Sequence, residues 1–124
     1  MTAPFRLIIA GSRTFTDYPR LCRVADGLLR NITREIVIVS GGARGADALG
    51  EQYARARGYR LERYPADWER WGRAAGMMRN HQMVDESGAQ ALLACWDGRS
   101  PGTRDAIDYA RARGLAVRIL LTDS

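Results

Sequence analysis

Five short apolar, β-rich runs, each separated from the next by a helix-like pattern, predict an α/β fold built on a parallel sheet. The runs are Phe5–Ala10, Glu35–Val39, Tyr59–Tyr64, Ala91–Trp96 and Ala116–Leu121. Leu7-Ile8-Ile9 and Ile36-Val37-Ile38-Val39 are apolar without alternation, as befits strands covered on both faces. These observations give a Rossmann-like three-layer α/β/α domain of about five parallel strands.

Each connection supports that order. Between the first two runs, Leu21, Val24, Ala25, Leu28 and Ile32 keep the three-and-four spacing of one helix face. The second gap carries Ala46, Leu49, Tyr53 and Ala54 and stops at Gly58. The third helix is expected from about Arg73 to Glu86, with Ala74, Met77, Met78 and Met83 as its apolar positions. The fourth carries Thr103, Ala106, Ile107 and Ala110 and stops at Gly114. Gly58 and Gly114 stand where a helix-ending glycine belongs, because a residue without Cβ enters the left-handed region freely.

Composition narrows the chemistry. At 124 residues, 46% apolar and 27% charged, the chain reads as one globular domain spanning 1–124. It has no apolar stretch of membrane-spanning length and no leader-like N-terminus, so the expectation is a soluble cytoplasmic protein. Cys22 and Cys95 show no metal or redox spacing, and His81 is the only histidine, so no metal site is expected. All 19 basic residues are arginines, which give a net charge of +5. With no lysine there is no Walker-type phosphate lysine and no Schiff base; anion contacts fall to arginine forks, backbone N–H groups and hydroxyls.

Ligands of such sheets bind beyond the carboxyl ends of the strands. Three turns meet there: Gly11-Ser12-Arg13, then Ser40-Gly41-Gly42-Ala43-Arg44-Gly45-Ala46-Asp47, then Asp97-Gly98-Arg99-Ser100-Pro101-Gly102-Thr103. Glycines let backbone N–H groups approach an anion, and the following helix presents its positive end. The hydroxyls of Ser12, Ser40, Ser100 and Thr103 are further donors. One such turn is as well explained as a plain strand-to-helix connector; three on one edge favour a phosphate cradle. Gly41-Gly42-x-x-Gly45 departs from the dinucleotide fingerprint, and no ribose-binding acid follows about 20 residues on. After the third run, Trp68, expected in a loop at this edge, is open to two readings, stacking on a base or capping the core. By pattern alone, Arg79-Asn80 within a helix reads as solvated surface, and Arg73 and Arg79, six apart, read as doing different jobs.

The set GSR…F, SGGARGAD, ADW…G..AG..RN..M and W-D-G-x-S-x-G-T resembles the SLOG superfamily, nearest its YspA-like, cpYpsA-related group, from about Phe5 to Leu121. Wider relatives by this resemblance are the DNA-processing protein DprA/Smf and the LOG-type phosphoribohydrolases. The resemblance implies a site for nucleotides or nucleotide-derived ligands at Gly11, Ser12, Arg13, Ser40, Gly41, Gly42, Arg44, Asp47, Gly102 and Thr103. It also implies an arginine near the ligand's glycosidic bond at Arg79, and self-association into a dimer. One departure bears on activity. The position matching the LOG-type catalytic glutamate is Ala106, and neighbouring Asp105 is turned about 100° away on a helix. Glu51 and Glu69 are possible substitutes.

The expected function is therefore binding of a nucleotide or nucleotide-derived small molecule without a cofactor. Two alternatives stay open: N-glycosidic cleavage of a nucleoside monophosphate or ADP-ribose-like compound, and DprA-like binding of single-stranded DNA, which the charge permits.

Overall fold

The computed structural model describes residues 2–122. The strands β1 (Phe5–Gly11), β2 (Ile36–Ser40), β3 (Arg60–Arg63), β4 (Ala91–Trp96) and β5 (Ala116–Leu121) form one sheet in the order β3-β2-β1-β4-β5. Every neighbouring pair is parallel. All five residues of β2 are buried, as the unbroken β-branched run requires of a strand covered on both faces. At the β3 edge, Glu62 accepts from both Arg6 and Arg60, and these charges blunt an otherwise open strand.

Five helices connect the strands: α1 (Tyr18–Leu29), α2 (Ala46–Arg57), α3 (Trp68–Trp71), α4 (Ala75–Glu86) and α5 (Pro101–Ala112). A 3₁₀ turn at Gly72–Ala74 joins α3 to α4. Alternate strand residues point to opposite faces. Leu7, Ile9, Ile38, Leu93 and Cys95 pack with α1 and α2, whereas Ile8, Val37, Val39, Leu92 and Ala94 pack with α4 and α5. Gly58 ends α2 at φ 72°, its N–H returned to Ala54 and Arg55. No helix among the described residues is long and apolar enough to cross a membrane.

Two local expectations change. Trp68 begins a single helical turn, capped by the Asp67 carboxylate on the Arg70 N–H, rather than lying in a loop. On α4 the buried positions are Ala75, Arg79, Met83 and Val84, while Met77 is 43% exposed. The 3₁₀ turn sets where α4 begins, and that phase turns Arg79 inward in line with Ala75 and Met83, one helical turn to either side. Arg79 is therefore not the solvated surface residue its pattern suggested; it is 7% exposed.

The chain builds outward from β1 to β3, then crosses back to β4 on the far side of β1. The connections leaving β1 and β4 consequently diverge, and a crevice opens between their carboxyl ends.

Candidate functional site

Close backbone approaches fix the edge around that crevice. The Ser12 N–H donates to Cys95 O at 2.8 Å, extending the β1–β4 pairing beyond the strands. A Cβ on Gly11 would stand 2.0 Å from that same oxygen. Gly45 has φ 72°, and a Cβ there would stand 2.4 Å from Ser12 O, which accepts the Ala46 N–H at 3.1 Å. The turns after β1 and β2 are therefore locked together through backbone atoms, with glycine the residue that fits. One turn into α2, a Cβ on Gly50 would meet Ile9 Cβ at 2.8 Å, so the helix lies close on β1.

Side-chain networks hold the turns in shape. Asp97 N–H donates to Ser12 Oγ at 3.2 Å, Ser12 Oγ lies 3.3 Å from Ser100 Oγ, and Ser100 Oγ donates to Asp97 Oδ2 at 2.9 Å. With the Ser100 proton on Asp97, Ser12 donates to Ser100, and a closed circuit ties the β1 turn to the β4 turn. Asp97 Oδ1 also accepts the N–H groups of Ser100 and Arg99, and these donors bring the Asp97 pKa down to about 2. Under the β2 turn, Ser40 Oγ donates to Glu51 Oε2 at 2.7 Å and accepts the Gly42 N–H at 3.1 Å. Glu51 also receives Arg63 Nε at 3.1 Å.

Three of the four hydroxyls expected as ligand donors thus direct their protons to partners inside the protein. Ser40 is fully buried and, like Gly45, lines neither cavity at this edge; Thr103 is nearly buried and does line one.

Two cavities open here. The crevice, about 450 Å³, lies between the β1 and β4 turns and is lined by Gly11, Ser12, Asp47, Asp97, Ser100, Gly102, Thr103 and Ala106. Beside it, on the β2 side, a cavity of about 400 Å³ is lined by Gly41, Gly42, Arg44, Arg63, Pro65 and Ala66. Arg13, Ala43, Trp68 and Arg79 line both. Arg73 joins Arg79 in the crevice wall, although the sequence set the two apart. Trp68 is 53% exposed, with the Arg13 guanidinium 5.9 Å from its ring centroid.

Arg79 is the central cation. Its guanidinium donates to the Gly41 carbonyl and to Asn80 Oδ1, and it forms no ion pair among the described residues. Burial pulls its pKa below the usual arginine value, against the charge of Asp47. A guanidinium nevertheless stays protonated, so its desolvation remains a cost to the unliganded fold. Asp47 is 3% exposed and accepts the Ala43 N–H at 3.2 Å. Burial raises its pKa, opposed by Arg79 and by the N–H groups of Ala43 and Gly11. At the start of α5, Ser100 makes no side-chain cap, and a Cβ on Gly102 would meet nothing within 4 Å. Packing alone does not demand glycine there, and the opening of α5 faces free space.

The remaining carboxylates lie elsewhere. Asp105 pairs with His81 Nε2 at 2.7 Å, Glu51 is buried beneath the β2 turn, and Glu69 is exposed on α3. Arg63, Arg73 and Asp97 were missed as candidate site residues. For Arg63 a signal existed: parallel strands end on the same edge, and Arg63, the last residue of β3, is in register with Ser40.

A five-stranded parallel sheet covered by helices on both faces, with glycine turns and arginines gathered at its switch-point edge, defines a Rossmann-like α/β protein. Residues 5–71 match the family described as YspA, cpYpsA-related SLOG. The chain is also similar to the Gene 61 protein of Mycobacterium phage D29, with 38% identity over 117 residues, covering 90% of this chain and 93% of the relative. The chain belongs to the YspA, cpYpsA-related SLOG family.

Proposed function

We propose that this protein binds a nucleotide or nucleotide-derived ligand at the switch-point edge and does not cleave it. The observation that carries the reading is Arg79: a nearly buried guanidinium, without an ion pair among the described residues, that lines two neighbouring cavities. An anionic ligand group offsets the part of that desolvation that the Asp47 charge does not. Free space at Gly102 and the uncapped start of α5 favour a phosphate close by. Exposed Trp68 offers a face for a base. Against cleavage, Ala106 lines the crevice with a methyl group, which cannot support an oxocarbenium-like centre.

Cleavage of an N-glycosidic bond is the second reading, favoured by one observation. Asp47 is a crevice-lining carboxyl whose pKa burial raises, as a general acid requires.

Thermal denaturation with AMP, ADP-ribose, NAD, cyclic nucleotides and a single-stranded oligonucleotide tests these readings. A ligand at about 100 times its dissociation constant stabilises by about 2.7 kcal/mol, a resolvable rise in melting temperature. No response to any nucleotide, with salt-sensitive retention on single-stranded DNA, overturns nucleotide binding. Release of free base that Asp47→Asn abolishes establishes cleavage instead. A cytoplasmic location and a homodimer complete the proposal, tested by cell fractionation and by light scattering over a range of protein concentrations.

A further inference from the structure

A single phosphate in the crevice leaves the β2-side cavity without a role. Four segments send an arginine to that cavity: Arg13 from the β1 turn, Arg44 from the β2 turn, Arg63 from the end of β3 and Arg79 from α4. No carboxylate among the described residues lines it. Among the described residues only Arg63 of these four forms an ion pair, with Glu51, which lies behind the wall and also holds Ser40. Glu51 therefore fixes Arg63 in place while most of the positive charge stays uncompensated.

The glycines of this turn clear space for guanidinium groups as well as for the backbone. A Cβ on Gly41 would stand 2.7 Å from the Arg79 side chain, and one on Gly42 would stand 3.3 Å from Arg63 Nη2. Arg79 Nε and Nη1 have protein acceptors and Nη2 has none, yet no buried side-chain nitrogen or oxygen among the described residues lacks a partner. Nη2 is therefore not fully buried, and it lies 3.7 Å from where a Cβ on the crevice-lining Gly76 would stand. The crevice and this cavity are neighbours that share Arg13, Ala43, Trp68 and Arg79 in their linings.

We propose that the β2-side cavity is a second phosphoryl subsite, and that the ligand is a nucleotide carrying at least two phosphoryl groups. One phosphoryl group sits against Arg79, which both linings share, and the next lies between Arg44 and Arg63. This rests on the nucleotide-binding reading above. It adds that a nucleoside monophosphate fills only part of the site.

Isothermal titration of the full chain tests it, using the nucleoside monophosphates, the matching diphosphates and inorganic pyrophosphate. The diphosphate of the preferred base is expected to bind at least about tenfold more tightly than its monophosphate, a difference of about 1.4 kcal/mol. Arg44→Ala and Arg63→Gln, both at exposed positions, should weaken the diphosphate more than the monophosphate and bring that ratio close to one. Pyrophosphate should bind the wild type measurably and each variant more weakly. Equal affinity for monophosphate and diphosphate in the wild type, or a preference that survives both substitutions, overturns the second subsite and leaves nucleotide binding intact. No heat with any nucleotide overturns both.

Discussion

The guanidinium of Arg79 on α4 donates to the backbone carbonyl of Gly41, in the turn after β2. That bond joins the helix on one face of the sheet to the glycine turn that opens α2 on the other. Gly41 is also where a Cβ would collide with Arg79. Gly41→Ala should therefore displace the guanidinium and reproduce much of the binding loss of Arg79→Ala. Each substitution is expected to weaken nucleotide binding by about 1.5–3 kcal/mol, and the double variant should lose less than their sum. Titrations of the single and double variants check this; full additivity would mean that the two residues act separately.

Arg79 also sets function against stability. Replacing a buried cation that has no ion pair among the described residues by an apolar chain of similar length removes a desolvation cost. Unliganded Arg79→Met should melt no lower than the wild type while losing the ligand-induced rise in melting temperature. A large drop in the unliganded melting temperature would show that Arg79 is mainly a structural strut.

Two glycines of the same edge should behave oppositely. At Gly45, φ is 72° and backbone of the β1 turn blocks a Cβ, so Gly45→Ala should destabilise by about 1–3 kcal/mol or more. At Gly102 a Cβ meets open space, so Gly102→Ala should leave stability unchanged or raise it by about 0.4–1 kcal/mol. It should still weaken binding, because the methyl enters the mouth of the crevice. Urea denaturation paired with titration separates the two effects.

Asp97 carries an acid-range pH dependence. Its carboxylate pKa falls from 3.8 to about 2 because the Ser100 and Arg99 N–H groups and the Ser100 hydroxyl bind the charged form. A depressed folded-state pKa contributes stability that is complete above the ordinary value and lost as the pH falls towards about 2. Asp97→Asn should be less stable than the wild type near neutral pH, and the gap should narrow below about 3.8 and close as the pH falls through about 2. Denaturation curves across that range measure it; a gap that stays constant would show that the Asp97 charge contributes nothing.

Glu51 anchors rather than reacts. Glu51→Ala removes the acceptor of the Ser40 hydroxyl and of Arg63 Nε, so it should destabilise by about 1–3 kcal/mol. Glu51→Gln, which keeps one carbonyl acceptor, should recover part of that loss. Equal stability of the two variants would refute the anchoring role.

Apolar patterning alone determined that there are five parallel strands, where β4 and β5 begin and end, and that α5 buries Thr103, Ala106, Ile107 and Ala110. These follow from local chemistry: β-branched runs read as doubly covered strands, and three-and-four spacing reads as one helix face. Glycine placement likewise marked the edge where the turns converge. Only the tertiary structure decided which groups at that edge remain free. Nothing in the order of residues reveals that Ser12 and Ser40 direct their protons inward, because their acceptors, Ser100 Oγ and the Glu51 carboxylate, stand 88 and 11 residues further along the chain. Nor does it reveal that Arg79 is buried, since a charged residue on a helix is ordinarily solvated and only the docked phase of α4 turns it inward. Strand order then brings Arg13, Arg44, Arg63 and Arg79, dispersed along the chain, around one cavity. The sequence could supply the arginines, but their shared field depends on distances that the packed sheet alone sets.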